Sequence, residues 1–144
     1  AAYTARCSMS FNPAQIGTCF DFGAPTSGNQ FDVTILNAEW NVSENIGRRY
    51  ALTSGDFNLI HIHAITAKAF GFKQAIAHGM WSKAKALANL ELPNAYEADV
   101  WFKLPMFLPS KVEFLTANAD KKTDFLIRNA KSQKPHVAGT VKAL

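Results

Sequence analysis

With 144 residues, 48% of them hydrophobic, the chain is long enough for one domain with a substantial core and too short for two. Its formal net charge of +4 is dispersed over pairs such as Arg48-Arg49, Lys121-Lys122 and Lys131 with Lys134, so no basic run reads as a nucleic-acid footprint, and no apolar run is long enough for a membrane span. Cys7 and Cys19, the only cysteines, lack CxxC spacing and a companion histidine cluster, which argues against zinc and for free thiols in a reducing compartment.

In chain order, residues 1–30 mix Ser, Thr, Asn, Gly and Pro with isolated apolar residues, and turn formers concentrate between Gly23 and Asn29. This reads as an N-terminal extension or the remnant of a preceding segment, with the domain itself over residues 31–144. No internal repeat is visible, and the start lacks a charged and then apolar leader, so the expected location is the cytoplasm. Residues 31–36 alternate with β-branched enrichment, as a strand does. Residues 40–50 lead into the segment Tyr50-Ala-Leu-Thr-Ser-Gly-Asp-Phe-Asn-Leu-Ile-His61, which reads as turn-like. Residues 64–70 predict a short helix stopped by Gly71, with His63 at the N-cap position.

A longer helix is predicted over residues 79–92, with Met80, Ala84, Leu87, Ala88 and Leu92 as its apolar stripe and Pro93 ending it. Residues 98–104, 111–119, 124–129 and 136–141 are each strand-length and separated by proline or by Asp-Lys-Lys and Ser-Gln-Lys-Pro punctuation. One long helix followed by a run of antiparallel strands is an α+β pattern.

The chemistry concentrates in two places. Gly55 and Asn58 are turn residues, which lets the chain reverse closely enough for Asp56 and His61 to meet over one small volume. Downstream, Ile76-Ala-His-Gly-Met80 opens the long helix, where Gly79 can present a backbone N–H at the positive end of the helix dipole without a Cβ in the way. A metal held by His61, His63 and His78 is not expected, because His61 and His63 would point to opposite sides of an extended segment and carboxylate ligands are sparse.

These residues together resemble the MaoC-like hydratases, a family of (R)-specific enoyl-CoA hydratases and dehydratases. Its pattern of an aromatic residue, Ser-Gly-Asp-x-Asn-Pro-(aliphatic)-His, a short helix ending in Gly-Phe, and an apolar-apolar-His-Gly-Met helix entry is met by Tyr50, Ser54, Gly55, Asp56, Asn58, Ile60, His61, Ala67, Gly71, Phe72, Ile76, His78, Gly79 and Met80. Only the proline departs, replaced by Leu59. The resemblance runs from about residue 40 to about residue 141, and it implies a hot-dog fold, a curled antiparallel sheet wrapped around a central helix.

The resemblance further implies a lyase that adds water to a trans-2-enoyl thioester, giving the (R)-3-hydroxyacyl thioester, or the reverse dehydration. Asp56 and His61 would form the catalytic dyad and Gly79 the backbone donor to the thioester oxygen. Ser54, Gly55, Asn58 and His78 would complete the substrate site, Asn58 orienting the Asp56 loop and His78 bracing the long helix. The substrate would be an acyl-CoA or acyl-carrier-protein thioester, with no cofactor, and the protein a homodimer. Phe57, Trp81, Trp101 and Phe102 would either line an acyl tunnel or pack the core. Two alternatives remain open at this level: a hot-dog thioesterase, and a catalytically silent binding or assembly domain.

Overall fold

The computed structural model describes residues 35–144. Nine elements follow in order: β1 (Ile35–Val42), α1 (Ile46–Ser54), α2 (Leu59–Ile62), α3 (Ala64–Ala69), α4 (Gly79–Leu87), β2 (Tyr96–Phe102), β3 (Ser110–Ala119), β4 (Lys122–Asn129) and β5 (Pro135–Ala143). Among the described residues the strands form one antiparallel sheet in the order β1-β3-β4-β5-β2. This is the α+β architecture expected from one helical region followed by consecutive strands. No helix among the described residues is long and apolar enough to cross a membrane.

Side chains alternate across the sheet. Val112, Phe114, Phe125, Ile127 and Val137 face the helical side and join Val100, Met106 and Ala86 in the main core, while Leu115, Leu126 and Ala138 form a smaller cluster on the opposite face. Phe114 and Phe125 are fully buried, and burying such a side chain stabilises by roughly 1.5–3 kcal/mol. Trp40 of β1 stacks on Phe114 with ring centroids 4.9 Å apart, which fastens the edge strand to the core.

α4 lies against β4 and β5, but not by the predicted stripe. Its buried residues are Ser82 and Ala86, flanked by the partly buried Trp81 and Leu87, whereas Met80, Ala84 and Ala88 are exposed. The helix is rich in alanine, so two of its faces read as apolar, and packing against the sheet selects the one that carries Ser82 and Ala86. The helix also ends at Leu87, five residues short of the predicted end. Asn89 and Leu90 donate backbone hydrogen bonds to Ala86 and Leu87, an i→i−3 tightening, and Asn89 Nδ2 donates to the Lys85 carbonyl at 2.8 Å. Those bonds occupy the terminal carbonyls before Pro93 is reached.

Other boundaries moved for similar reasons. The first strand is Ile35–Val42 where residues 31–36 were expected; residues 31–34 and the expected 1–30 extension, with both cysteines, lie outside the described residues. β2 begins two residues earlier than expected, because its register against β5 runs from Tyr96 with Ala143 to Phe102 with Val137. The segment expected to be turn-like is largely helical: Tyr50 to Ser54 complete α1, Gly55 closes it at φ 76°, and only Asp56 to Asn58 form a loop before α2. His63 caps α3, its Nδ1 accepting from the Ile65 N–H at 3.3 Å.

Leu59 is the first residue of α2, and Asn58 before it is extended at φ −57° and ψ 125°. Proline is favoured at that helical position, where the amide has no intrahelical acceptor, and it requires an extended predecessor, which Asn58 already is. Leu59→Pro should therefore raise stability by about 0.4–1 kcal/mol by restricting the unfolded chain. Denaturant melts of the two proteins check this, and a loss of stability would mean that the Leu59 side chain holds α2 in place.

Candidate active site

Asp56, His61 and His78 come together, with one ligand-type atom of each within 4.8 Å of the others. Three local devices produce this. The Asp56 loop is built from its own polar groups: Asp56 N–H donates to Ser54 Oγ at 3.2 Å, Asn58 N–H to Asp56 Oδ1 at 3.1 Å, and Ile60 N–H to Asn58 Oδ1 at 3.3 Å. Such side-chain acceptors fold a loop without a sheet or helix partner. Ser54, Gly55 and Asn58 thus spend their local bonding on the shape of the loop, and Ser54 Oγ donates in turn to the Tyr50 carbonyl at 2.9 Å.

His61 stands on α2 and is only 9% exposed. Its Nδ1 lies 2.7 Å from the Ile76 carbonyl oxygen, which can only accept, so Nδ1 carries the proton and Nε2 keeps its lone pair. Burial pushes the ring below its ordinary value of 6.5; the Ile76 carbonyl opposes this, nearby His78 adds to it, and the Asp56 carboxylate opposes it weakly. α1 passes so close that a Cβ on Gly47 would collide with the His61 backbone carbonyl, which explains a glycine that the motif reading overlooked.

His78 precedes α4 and stacks on His61 with centroids 3.8 Å apart and planes 26° from parallel. Its Nε2 donates to the Asp56 backbone carbonyl at 3.0 Å and sits 3.7 Å from Asp56 Oδ2, while Nδ1 is buried with no hydrogen-bond partner among the described residues. His78 therefore ties the Asp56 loop to the start of α4, in addition to standing at that helix's N-cap. Stacked imidazoles send their in-plane lone pairs side by side and not toward one ion, so this trio fits a tetrahedral metal poorly.

A cavity of about 240 Å³ opens beside His61 and Gly79. Ile76, Phe102, Leu104, Met106 and Val137 give it an apolar wall, into which Ser82 and His136 also project. Of the four aromatic residues weighed as tunnel lining, Phe102 lines this cavity; Phe57 is 57% exposed, and Trp81 packs against the core. Gly79 begins α4, and a Cβ there would sit 2.8 Å from the Phe102 ring, so packing against that ring favours the glycine. Asp56 does not line the cavity; its side chain is 54% exposed at the rim. Ser82 and His136 escaped the sequence reading, because neither lies in a motif and only the pairing of β2 with β5 brings His136 to α4.

A family model described as the MaoC like domain matches residues 28–139. The chain belongs to the MaoC-like domain family. Its sheet and central helix are that family's hot-dog fold, as expected from the motifs. It is 42% identical over 99 residues to 3-hydroxyacyl-thioester dehydratase X of Mycobacterium tuberculosis, covering 67% of this chain and 35% of that protein. A crystal structure of HtdX of Mycobacterium tuberculosis superimposes with a TM-score of 0.72 at 39% identity, covering 76% of this chain and 48% of that one. This MaoC-like chain thus spans between a third and a half of the length of those relatives. The R-hydratase of Pseudomonas aeruginosa shares the fold at 22% identity, with a TM-score of 0.66 over 80% of this chain and 82% of that one.

Two buried histidines of the MaoC-like domain set a pH dependence. His61 and His136 are both held below 6.5, chiefly by burial, so the unfolded chain takes up protons before the folded one does. Their contribution is intact above about 6.5 and is lost as pH falls from there toward the folded values. Thermal melts should show the midpoint dropping between pH 7 and pH 5, and His61→Gln should flatten that slope. An unchanged slope in the variant would show that His61 gains no proton on unfolding.

Proposed function

We propose that this domain hydrates a trans-2-enoyl thioester to the (R)-3-hydroxyacyl thioester, or runs the reverse dehydration. The observation that carries the reading is that His61, whose Nε2 is unprotonated, and Gly79 line one mostly apolar cavity, with Asp56 close to His61. The name of the dehydratase at 42% identity supports the same chemistry.

In this reading a water is held between the Asp56 carboxylate and His61 Nε2. The dyad takes a proton from the water as its oxygen bonds the β-carbon; the double-bond electrons move toward the thioester oxygen, and the dyad returns a proton to the α-carbon. The developing charge on that oxygen is met by the Gly79 N–H, and a donor of this kind is worth roughly 3–4 kcal/mol in the transition state. The low pKa of His61 suits this role, since it keeps the base unprotonated near neutral pH. An acyl-CoA or acyl-carrier-protein thioester would enter acyl end first, the apolar wall taking the chain.

Asp56→Asn and His61→Gln should each lower hydration of crotonyl-CoA by about a hundred- to ten-thousand-fold with the fold retained, and the double variant should be little worse than either, because the pair acts as one unit. Loss of enoyl absorbance without release of free thiol is the readout. Near-wild-type rates in either single variant would sink the dyad, and thiol release would point to thioester hydrolysis instead.

Assembly follows from the same architecture. The strand β1 lies at an edge of the sheet among the described residues, and Leu52, Phe57, Ile65 and Phe70 are exposed on the helical segment. An edge strand and apolar surface of this kind are met most simply by a two-fold homodimer. Light scattering at micromolar concentration should give twice the chain mass; a monomer with full activity contradicts this.

A further inference from the structure

His136 begins β5 and is 7% exposed, yet it lines the cavity that holds His61 and Gly79. Its Nδ1 lies 3.1 Å from the Leu104 carbonyl oxygen, and because a carbonyl only accepts, the ring proton is on Nδ1. Nε2 is then a bare lone pair, and it is buried with no hydrogen-bond partner among the described residues. Burial holds the ring below its ordinary value against the opposing pull of the Leu104 and Pro105 carbonyls, so near neutral pH the ring is uncharged and Nε2 stays an acceptor. A buried acceptor left unpaired is costly, and an apolar side chain would fill the same wall without that cost. The cavity, at about 240 Å³, is several times the volume of one water. A mostly apolar wall with a few placed polar groups, here His61, Ser82, Lys103 and His136, is the pattern of a ligand-recognition site.

We propose that His136 is a substrate-binding residue whose Nε2 accepts a hydrogen bond from an N–H or O–H group of the thioester in this cavity. This rests on the thioester reading above and deepens it. His136 does not touch the reacting carbons in this scheme; it fixes how the ligand lies in the cavity. Two parts of a thioester can supply such a donor: an amide N–H of the thiol arm, as in N-acetylcysteamine, and a hydroxyl on the acyl chain.

The test measures affinity with saturated thioesters, which cannot be hydrated, so it reads His136 even if the hydratase reading falls. Three ligands are compared by calorimetry against the full chain: butyryl-N-acetylcysteamine with the amide donor, the S-ethyl thioester of 4-hydroxybutyric acid with the hydroxyl donor, and S-ethyl thiobutyrate with neither. His136→Phe, which keeps an aromatic ring and removes the acceptor, should weaken one of the first two by about 3–10-fold while leaving S-ethyl thiobutyrate within twofold. The ligand that loses affinity identifies the source of the donor. His136→Gln, which can place an amide oxygen near the Nε2 position, should recover part of the loss. An equal change for all three ligands, or none for any, overturns the proposal, the first by showing that His136 only supports the wall and the second that solvent satisfies Nε2. Should His136→Phe fail to fold, His136→Leu is read the same way. Separately, wild-type protein that binds these thioesters but never hydrates crotonyl-CoA would defeat the hydratase reading and leave this one standing.

Discussion

The site depends on three residues that belong to no named element. Ile76 donates its N–H to the Ile60 carbonyl at 3.1 Å and accepts from His61 Nδ1 at 2.7 Å, so one peptide segment holds α2 by backbone and by side chain. On either side, Ala77 N–H donates to the Met106 carbonyl and the Ala75 carbonyl accepts from Leu108 N–H, both at 2.9 Å. Ala75 to Ala77 thereby bridge the helical segment to the connection between β2 and β3. The same stretch leads directly into His78 and Gly79. Position and tautomer of His61 are consequences of this bridge, because the carbonyl that places the ring also fixes which nitrogen carries the proton.

The two acidic and basic partners are held by different means. His61 is buried and tied to a backbone carbonyl, whereas Asp56 sits at an exposed rim and depends on a self-bonded loop with one external tie, the His78 ring. That division fits a site in which the imidazole must stay neutral and the carboxylate must meet water. Burial supplies the first condition and exposure the second. His78 then has a double task, stacking on one partner and holding the backbone of the other, which explains why a second histidine adjoins the glycine at the helix entry.

Small residues recur wherever elements press together around the site. Gly47 admits the His61 carbonyl against α1, Gly79 admits the Phe102 ring, and Ser82 with Ala86 lets α4 settle on the sheet. Each is a place where a larger side chain would move a functional group, since close-packed interiors transmit displacement instead of absorbing it. Leu59 is different in kind. It replaces a residue whose value in relatives is conformational, and the extended Asn58 before it shows that this loop reaches the required shape without proline.

How much of this was legible from the chain varies with the range of the interaction. The Ser54, Gly55, Asp56, Asn58 and His61 spacing carries local information, and the loop hydrogen bonds among residues two apart realise it directly. The strand run after Tyr96 was readable from punctuation and alternation, although its boundaries shifted where register against a distant strand outweighed local pattern. The buried face of α4 was not readable, because short alanine side chains give the same apolar signal on more than one face and only contact with the sheet chooses between them. Nor could the sequence show that His136, 75 residues from His61, lines the same cavity, or that its Nε2 has no partner among the described residues. By itself the sequence determined the family, the α+β class and the local chemistry of the loop, since those rest on neighbours along the chain. The cavity, the neutrality of its histidines and the tie from Ile76 to His61 were decided only in three dimensions, where burial and long-range backbone pairing set them.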